Sequence, residues 1–178
     1  TAERDNHEIL DFLLSQKSTV INSHCFNNIT QLTEITIPAQ VTSIENNSFD
    51  GCTSLFNVTF MNPSKLTSIG NCAFKNCSSL KQIIIPSSVE SIGNNVFDGC
   101  ISLREINLPS SVKSIGFSCF KGVKNIQITG NLNEILENMF NGCTSLKEIT
   151  IPTTVTSICK SSFEKCSTLK YITFVKTL

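Results

Sequence analysis

Apolar residues return at fixed intervals along this chain. Phe26, Phe49, Phe74, Phe97, Phe120, Phe140 and Phe163 follow one another at steps of 23, 25, 23, 23, 20 and 23 residues. The third position after each Phe holds Ile29, Cys52, Cys77, Cys100, Val123, Cys143 and Cys166. Three residues further on stand Leu32, Leu55, Leu80, Leu103, Leu146 and Leu169, with one gap in the column. Self-similarity at such a period is the mark of a stacked repeat. Two steps are irregular. Two residues are inserted around Asn62–Lys65, and three are missing between Val123 and Ile126.

The shared pattern reads L-x-x-I-x-I-P-x-x-V-x-x-I-x-x-x-x-F-x-x-C-x-x. The alternation in I-x-I predicts a half-buried strand. Pro38, Pro86, Pro109 and Pro152 close it, where a missing N–H costs little. The V-x-x-I piece, as in Val89 to Ile92, turns the chain back and forms a short second extended segment. The F-x-x-C stretch closes the turn with Asn- and Gly-rich sequence. One unit cannot bury its apolar side alone, so stacked units share one core. Phe then forms a spine, and ladder Cys acts as a small buried hydrophobe with a weak S–H donor. Cys25, Cys72, Cys119 and Cys159 lie off the ladder, and buried, inert thiols are expected there too.

These columns of Leu, Ile, Pro, Val, Ile, Phe and Cys resemble the leucine-rich repeats of the bacterial surface-antigen A-like (BspA-like) family, also called the treponemal type. That family has units of about 23 residues and occurs in bacteria and parasitic protists. The likeness covers nearly all of 18–178, with seven visible turns and a partial eighth. It implies a leucine-rich repeat solenoid of α/β type, a right-handed superhelix of short strands and turns. A parallel sheet lies on the concave face, with short second extended segments opposite. Residues 1–17, with Ile9, Leu10, Phe12, Leu13 and Leu14 close together, are expected to form a helical N-terminal cap. The last stretch, "LKYITFVKTL", reads as a strand with no turn after it, which suits self-association through an open edge.

Composition narrows the function. Of 178 residues only 16% are charged and formal net charge is zero, so no overall field draws the chain to nucleic acid or anionic lipid. No apolar run approaches the length of a membrane span. The nine Cys are an odd number, and none is spaced Cys-x-x-Cys, so neither an even disulfide framework nor a zinc pattern is present. Only two His occur, His7 and His24. His24 adjoins Cys25, but neighbours on an extended segment point apart, so no catalytic pair is expected. Phosphate-binding and nucleophile-elbow motifs are missing. The reading is a non-enzymatic chain with no cofactor, no metal and no catalytic residue.

A solenoid offers its long sheet to partners. Three outward columns emerge from the strand pattern. The first holds Thr33, Phe56, Lys81, Arg104, Lys124, Lys147 and Lys170, a basic edge. The next holds Glu34, Asn57, Gln82, Glu105, Asn125, Glu148 and Tyr171. The last holds Thr36, Thr59, Ile84, Asn107, Gln127, Thr150 and Thr173. The plain expectation is a solvated edge whose cations pair with the Glu column at little energetic gain. The functional expectation is a strip that binds a protein. Nucleic acid fits poorly, since only Phe56 and Tyr171 could stack bases.

Two short stretches, Lys113–Phe117 ("KSIGF") and Lys170–Phe174 ("KYITF"), resemble the docking motif of type-1 serine/threonine phosphatase regulators. In the first, Ile115 is a core position; in the second, Lys170, Ile172 and Phe174 could be offered by the terminal strand. Glycosylation sequons at Asn28, Asn46, Asn57 and Asn76 do not settle the compartment. The Cys count and the lack of a signal-peptide pattern favour an intracellular setting, while the family's surface display keeps the cell surface open. The leading reading is a protein-interaction scaffold. Alternatives are a surface adhesin or antigen and a phosphatase regulatory subunit.

Overall fold

The computed structural model describes residues 18–176. Fourteen strands, numbered in chain order, alternate between two kinds. The long ones come from the I-x-I pattern: β2 (Glu34–Ile37), β4 (Asn57–Phe60), β6 (Gln82–Ile84), β8 (Glu105–Asn107), β10 (Asn125–Thr129), β12 (Glu148–Pro152) and β14 (Tyr171–Val175). The short ones are the V-x-x-I pieces: β1 (Val20–Ile21), β3 (Ser43–Ile44), β5 (Ser68–Ile69), β7 (Ser91–Ile92), β9 (Ser114–Ile115), β11 (Glu134–Ile135) and β13 (Ser157–Ile158). Each strand pairs in parallel with its counterpart one coil away. The result is a parallel solenoid of seven long strands, with no helix among the described residues. The expected cap over 1–17 lies outside the described residues.

The sequence columns become the core. Phe49, Phe74, Phe97, Phe120 and Phe140 are fully buried, and all seven spine rings stack at centroid separations of 4.9 to 6.0 Å. Such a ladder buries large apolar area and adds offset-stacking attraction at each step. Each Phe is flanked by two left-handed residues, two positions before and two after it. The pairs are His24/Asn28, Asn47/Gly51, Cys72/Asn76, Asn95/Gly99, Ser118/Gly122, Asn138/Gly142 and Ser161/Lys165. Two reversals in five residues turn the chain sharply enough to bring every Phe inward.

Ladder thiols donate to carbonyl oxygens of the Phe one coil back. Cys52 Sγ lies 3.1 Å from Phe26 O, Cys77 Sγ 3.3 Å from Phe49 O, Cys100 Sγ 3.1 Å from Phe74 O and Cys166 Sγ 3.0 Å from Phe140 O. Cys166 is only half-buried. Off the ladder, only Cys119 is buried. Cys25 is exposed, and Cys72 and Cys159 are half-buried, against the expectation of buried thiols at those positions. Cys72 is itself a left-handed corner residue, and Cys159 directly follows β13. Cys25 holds the place that Ala73, Val96 and Cys119 fill as buried residues in later coils, and it is exposed in the first described coil. His24 and Cys25 share the turn before Phe26, both exposed, with His24 in the left-handed region rather than on an extended segment. A second ladder runs up the corner: Asn46 Oδ1 accepts from the Asn71 amide at 2.7 Å, and Asn71 Oδ1 from the Asn94 amide at 2.8 Å.

The two irregular steps open different sheets. The extra residues at Asn62–Lys65 fall between β4 and β6, and no ladder joins those strands. The short strands of the same coils remain paired, Ser68 opposite Ser91. The shortened coil does the reverse. The short-strand sheet stops at β9 and resumes as β11–β13, while the long sheet continues through β8–β10–β12. It continues with a slip: Gln127 faces Glu105 on one side and Thr150 on the other. A shift of two residues keeps every side chain on its own face, so the core survives it.

Candidate protein-binding face

The long-strand sheet positions the outward columns by simple alternation. In β2 the buried residues are Ile35 and Ile37, and in β12 Ile149 and Ile151, so the residues between them face out. Glu34, Asn57, Gln82, Asn125, Glu148 and Tyr171 are exposed, and Glu105 is half-buried. Thr59, Ile84, Gln127 and Thr173 are exposed, while Thr36, Asn107 and Thr150 are half-buried. Thr129 Oγ1 donates to Glu105 Oε1 at 3.2 Å, which holds that carboxylate back from the surface.

Lys81, Arg104, Lys124, Lys147 and Lys170 are all exposed along the edge. They do not pair with the Glu column. The ion pairs among the described residues are Lys75–Asp98, Lys113–Glu90 and Lys165–Glu164, none on this edge. The reason is reach and direction: successive residues on one strand point to opposite sides, and the edge position lies just before the strand begins. Arg104 turns back on its own coil instead, Nη1 donating to Ile101 O at 3.0 Å and Leu103 O at 2.9 Å.

The basic edge is also not one straight stripe. Lys147 N donates to Lys124 O and Lys170 N to Lys147 O, so these three sit in register. Arg104 N donates to Lys81 O in the same way. Between the two groups the slip of β10 intervenes, and Arg104 O accepts from Gln127 N rather than from Lys124. Lys124 is thereby displaced by two residues along the strand direction, about 6.6 Å. The missing residues that break the repeat cause this offset.

Where β4 and β6 part, the face carries a cavity of about 300 Å³. Val58 and Ile83 are buried at its base, and Phe60, Met61, Ile84 and Pro86 line it. The sequence marks this place only by the long repeat step and the outward Ile84; Phe60, Met61 and Asn62 are not singled out by it. The cause is physical: an insertion tells where a coil is longer, not which sheet yields.

At the far end, β14 pairs with β12 and with no other described strand. Ile172 and Phe174 stand opposite Ile149 and Ile151, which are core residues. They are thus in-facing residues of the repeat, 43% and 53% exposed because no further described coil covers them. In the other phosphatase-like stretch Ile115 is buried and Lys113 is held by Glu90 at 3.0 Å. No helix among the described residues is long and apolar enough to cross a membrane, and no cluster of metal-ligating side chains occurs among them.

Comparison with known proteins agrees with this geometry. The model of the BspA type leucine-rich repeat region matches residues 5–127 and 67–178, as six copies. A leucine-rich repeat protein of Treponema pallidum shares the fold with 28% identity and a TM-score of 0.66, over 85% of this chain and 72% of that one. The pneumococcal vaccine antigen PcpA is similar in fold, at 19% identity and TM-score 0.51, over 87% of this chain and 56% of that one. A leucine-rich repeat protein of Eubacterium ventriosum shows 26% identity and TM-score 0.45, over 89% and 58% of the two chains. No curated protein matches the chain. The chain belongs to the BspA-type leucine-rich repeat family.

Proposed function

We propose that the chain is a protein-interaction module that binds through its long-strand face and the cationic edge beside it. One observation carries this reading: five exposed cations lie along that edge with no carboxylate of the described residues within ion-pair distance. Cations left without a partner among the described residues attract an acidic face on another protein, which speeds encounter and fixes orientation. The polar Glu, Asn and Thr columns beside them supply a hydrogen-bonding rim.

The test is capture of partners from the source cell by the immobilised chain, followed by the triple reversal Lys81→Glu, Arg104→Glu, Lys147→Glu. Binding should fall at least about tenfold and weaken with added salt. A partner retained at full strength by the triple variant overturns the choice of surface.

A cell-surface adhesin would use the same face against host or matrix proteins, and the family's repeat supports that second reading. The partner recovered by capture separates the two. Docking of a type-1 phosphatase through Lys170, Ile172 and Phe174 draws no support from β14, since the two apolar residues are core positions of the repeat. Replacing both and retaining phosphatase association would remove it.

A further inference from the structure

The long-strand face is interrupted once, at the coil with the insertion. The amides of Phe56, Arg104, Lys147 and Lys170 each bond a carbonyl of the preceding coil, at 2.6 to 2.9 Å. The Lys81 amide, at the same place in β6's coil, has no such bond. The Lys124 amide lacks one too, but there the slip of β10 supplies Gln127 N to Arg104 O at 2.8 Å. Nothing replaces the bond at Lys81, where no ladder joins β4 and β6. The Phe49 and Phe74 rings, which lead into β4 and β6, stack at 5.1 Å, so the spine stays closed beside the gap. On the other side of the coils Gly93 N still donates to Ile69 O at 2.8 Å. The two coils are closed along the short strands and parted along the long ones. The cleft between them is the cavity of about 300 Å³.

Its chemistry is specific. Val58 and Ile83 form the base, and Ile84 stands 65% exposed at the mouth. No Asp, Glu, Lys, Arg or His is among the lining residues. Asn57, Gln82 and Ser87 surround the apolar base with neutral donors and acceptors. The volume is at the low end for ligand cavities, about 300–1,000 Å³, enough for one large side chain and little more. A charged group would lose its hydration there with nothing to replace it.

We propose that this cleft seats a single uncharged apolar side chain, aromatic or aliphatic, projecting from an extended segment of a protein partner. An extended segment fits because its peptide groups alternate donor and acceptor, as do the amide side chains at the rim and the backbone at the parted strand edges. Asn57, Thr59, Gln82 and Ile84 belong to the outward columns of the binding face, so cleft and face are continuous. The inference therefore rests on the reading that this face binds protein, and it adds the feature that selects the partner.

The test uses the full chain and blocked peptides of sequence Gly-Ser-Thr-X-Thr-Ser-Gly, with X as Phe, Leu, Gly, Lys or Asp. Methyl resonances of Val58, Ile83 and Ile84 are followed by NMR. The Phe and Leu peptides should shift these methyls and bind at least about tenfold more tightly than the Gly, Lys and Asp peptides. Ile84→Asp and, separately, Thr59→Arg, both at exposed positions, should remove the effect without changing the melting temperature. Shifts located elsewhere, or no dependence on X up to about 10 mM, overturn the proposal. Against a captured natural partner, loss of binding by the triple charge reversal but not by Ile84→Asp rejects the cleft and keeps the face. Loss by Ile84→Asp alone keeps the cleft and rejects the cationic edge.

Discussion

Cys100 donates its thiol to the carbonyl of Phe74, 3.1 Å away and 26 residues earlier in the chain. The bond ties one coil to the next at the floor of the Phe spine, and the same contact recurs at Cys52, Cys77 and Cys166. Cys100→Ala removes this donor and leaves a small void in a fully buried site. Urea unfolding should show a loss of about 1–3 kcal/mol. Cys25→Ala, at an exposed position, should change stability by less than about 0.5 kcal/mol.

The spine makes a sharper demand. Phe97 stacks on Phe74 at 6.0 Å and on Phe120 at 5.6 Å, with none of its surface exposed. Phe97→Ala should cost about 3–5 kcal/mol. Because coils touch only their neighbours, the unfolding transition should also broaden as the halves uncouple. Phe163 is half-buried with one stacking partner, and its replacement by Ala should cost clearly less in the same assay.

Two glycines separate steric from conformational need. A Cβ at Gly93 would lie 2.7 Å from the Asn71 backbone N and 2.8 Å from the Gly70 carbonyl carbon. Backbone cannot give way there without breaking the Asn ladder, so Gly93→Ala should cost at least about 1–3 kcal/mol. At Gly122, φ is +88° and the nearest atom is 3.3 Å away. Its replacement by Ala meets mainly the left-handed penalty, about 1–2 kcal/mol. Thermal melts of the two variants should rank Gly93→Ala as the worse.

The thiols make stability fall at high pH. Burial pushes Cys52 and Cys119 from 9.0 up to about 12 and raises Cys77 and Cys100 as well. Below about pH 9 folded and unfolded thiols are both protonated and the contribution is intact. Above it the unfolded thiols ionise while the folded ones keep their protons, so rising pH favours unfolding. Each such thiol should add about 1.4 kcal/mol of destabilisation per pH unit between 9.0 and about 12. The slope of unfolding free energy against pH should flatten when Cys52 and Cys119 are both replaced by Ala.

The core was readable because packing requires identical residues at identical steps. Phe74, Cys77, Leu80 and Ile83 announce one coil as plainly as Phe97, Cys100, Leu103 and Ile106 announce the next. The places where the step changes were readable too. Their consequences were not. Nothing in the residues 62–65 says that the long strands part while the short ones hold, and nothing between Val123 and Ile126 says that β10 slips by two against β8. Both outcomes depend on which of two sheets yields at lower cost, a property of the stacked coils rather than of one repeat. The exposure of Cys25 shows the same limit. The same place before each later Phe holds buried Ser48, Ala73, Val96, Cys119, Met139 or Ser162. Cys25 is exposed because it stands in the first described coil, and the column pattern does not show that. The Asn and Gly residues flanking six of the seven spine Phe were a legible signal for the left-handed corners; around Phe163 the corners are Ser161 and Lys165.

The cleft on the proposed binding face follows from coils that part on one side and hold on the other. Amide hydrogen exchange reads both sides of the same pair of coils. The Lys81 amide should exchange near its unprotected rate, while Arg104 in the next coil, bonded to Lys81 O at 2.9 Å, is protected by at least about a hundredfold. On the short-strand side Glu90 N, 2.9 Å from Thr67 O, and Gly93 N should be protected as strongly as Arg104. Lys81 protected to the same degree as Arg104 would mean an unbroken long sheet and no cleft, and Glu90 and Gly93 left unprotected would mean that the coils part along their whole length.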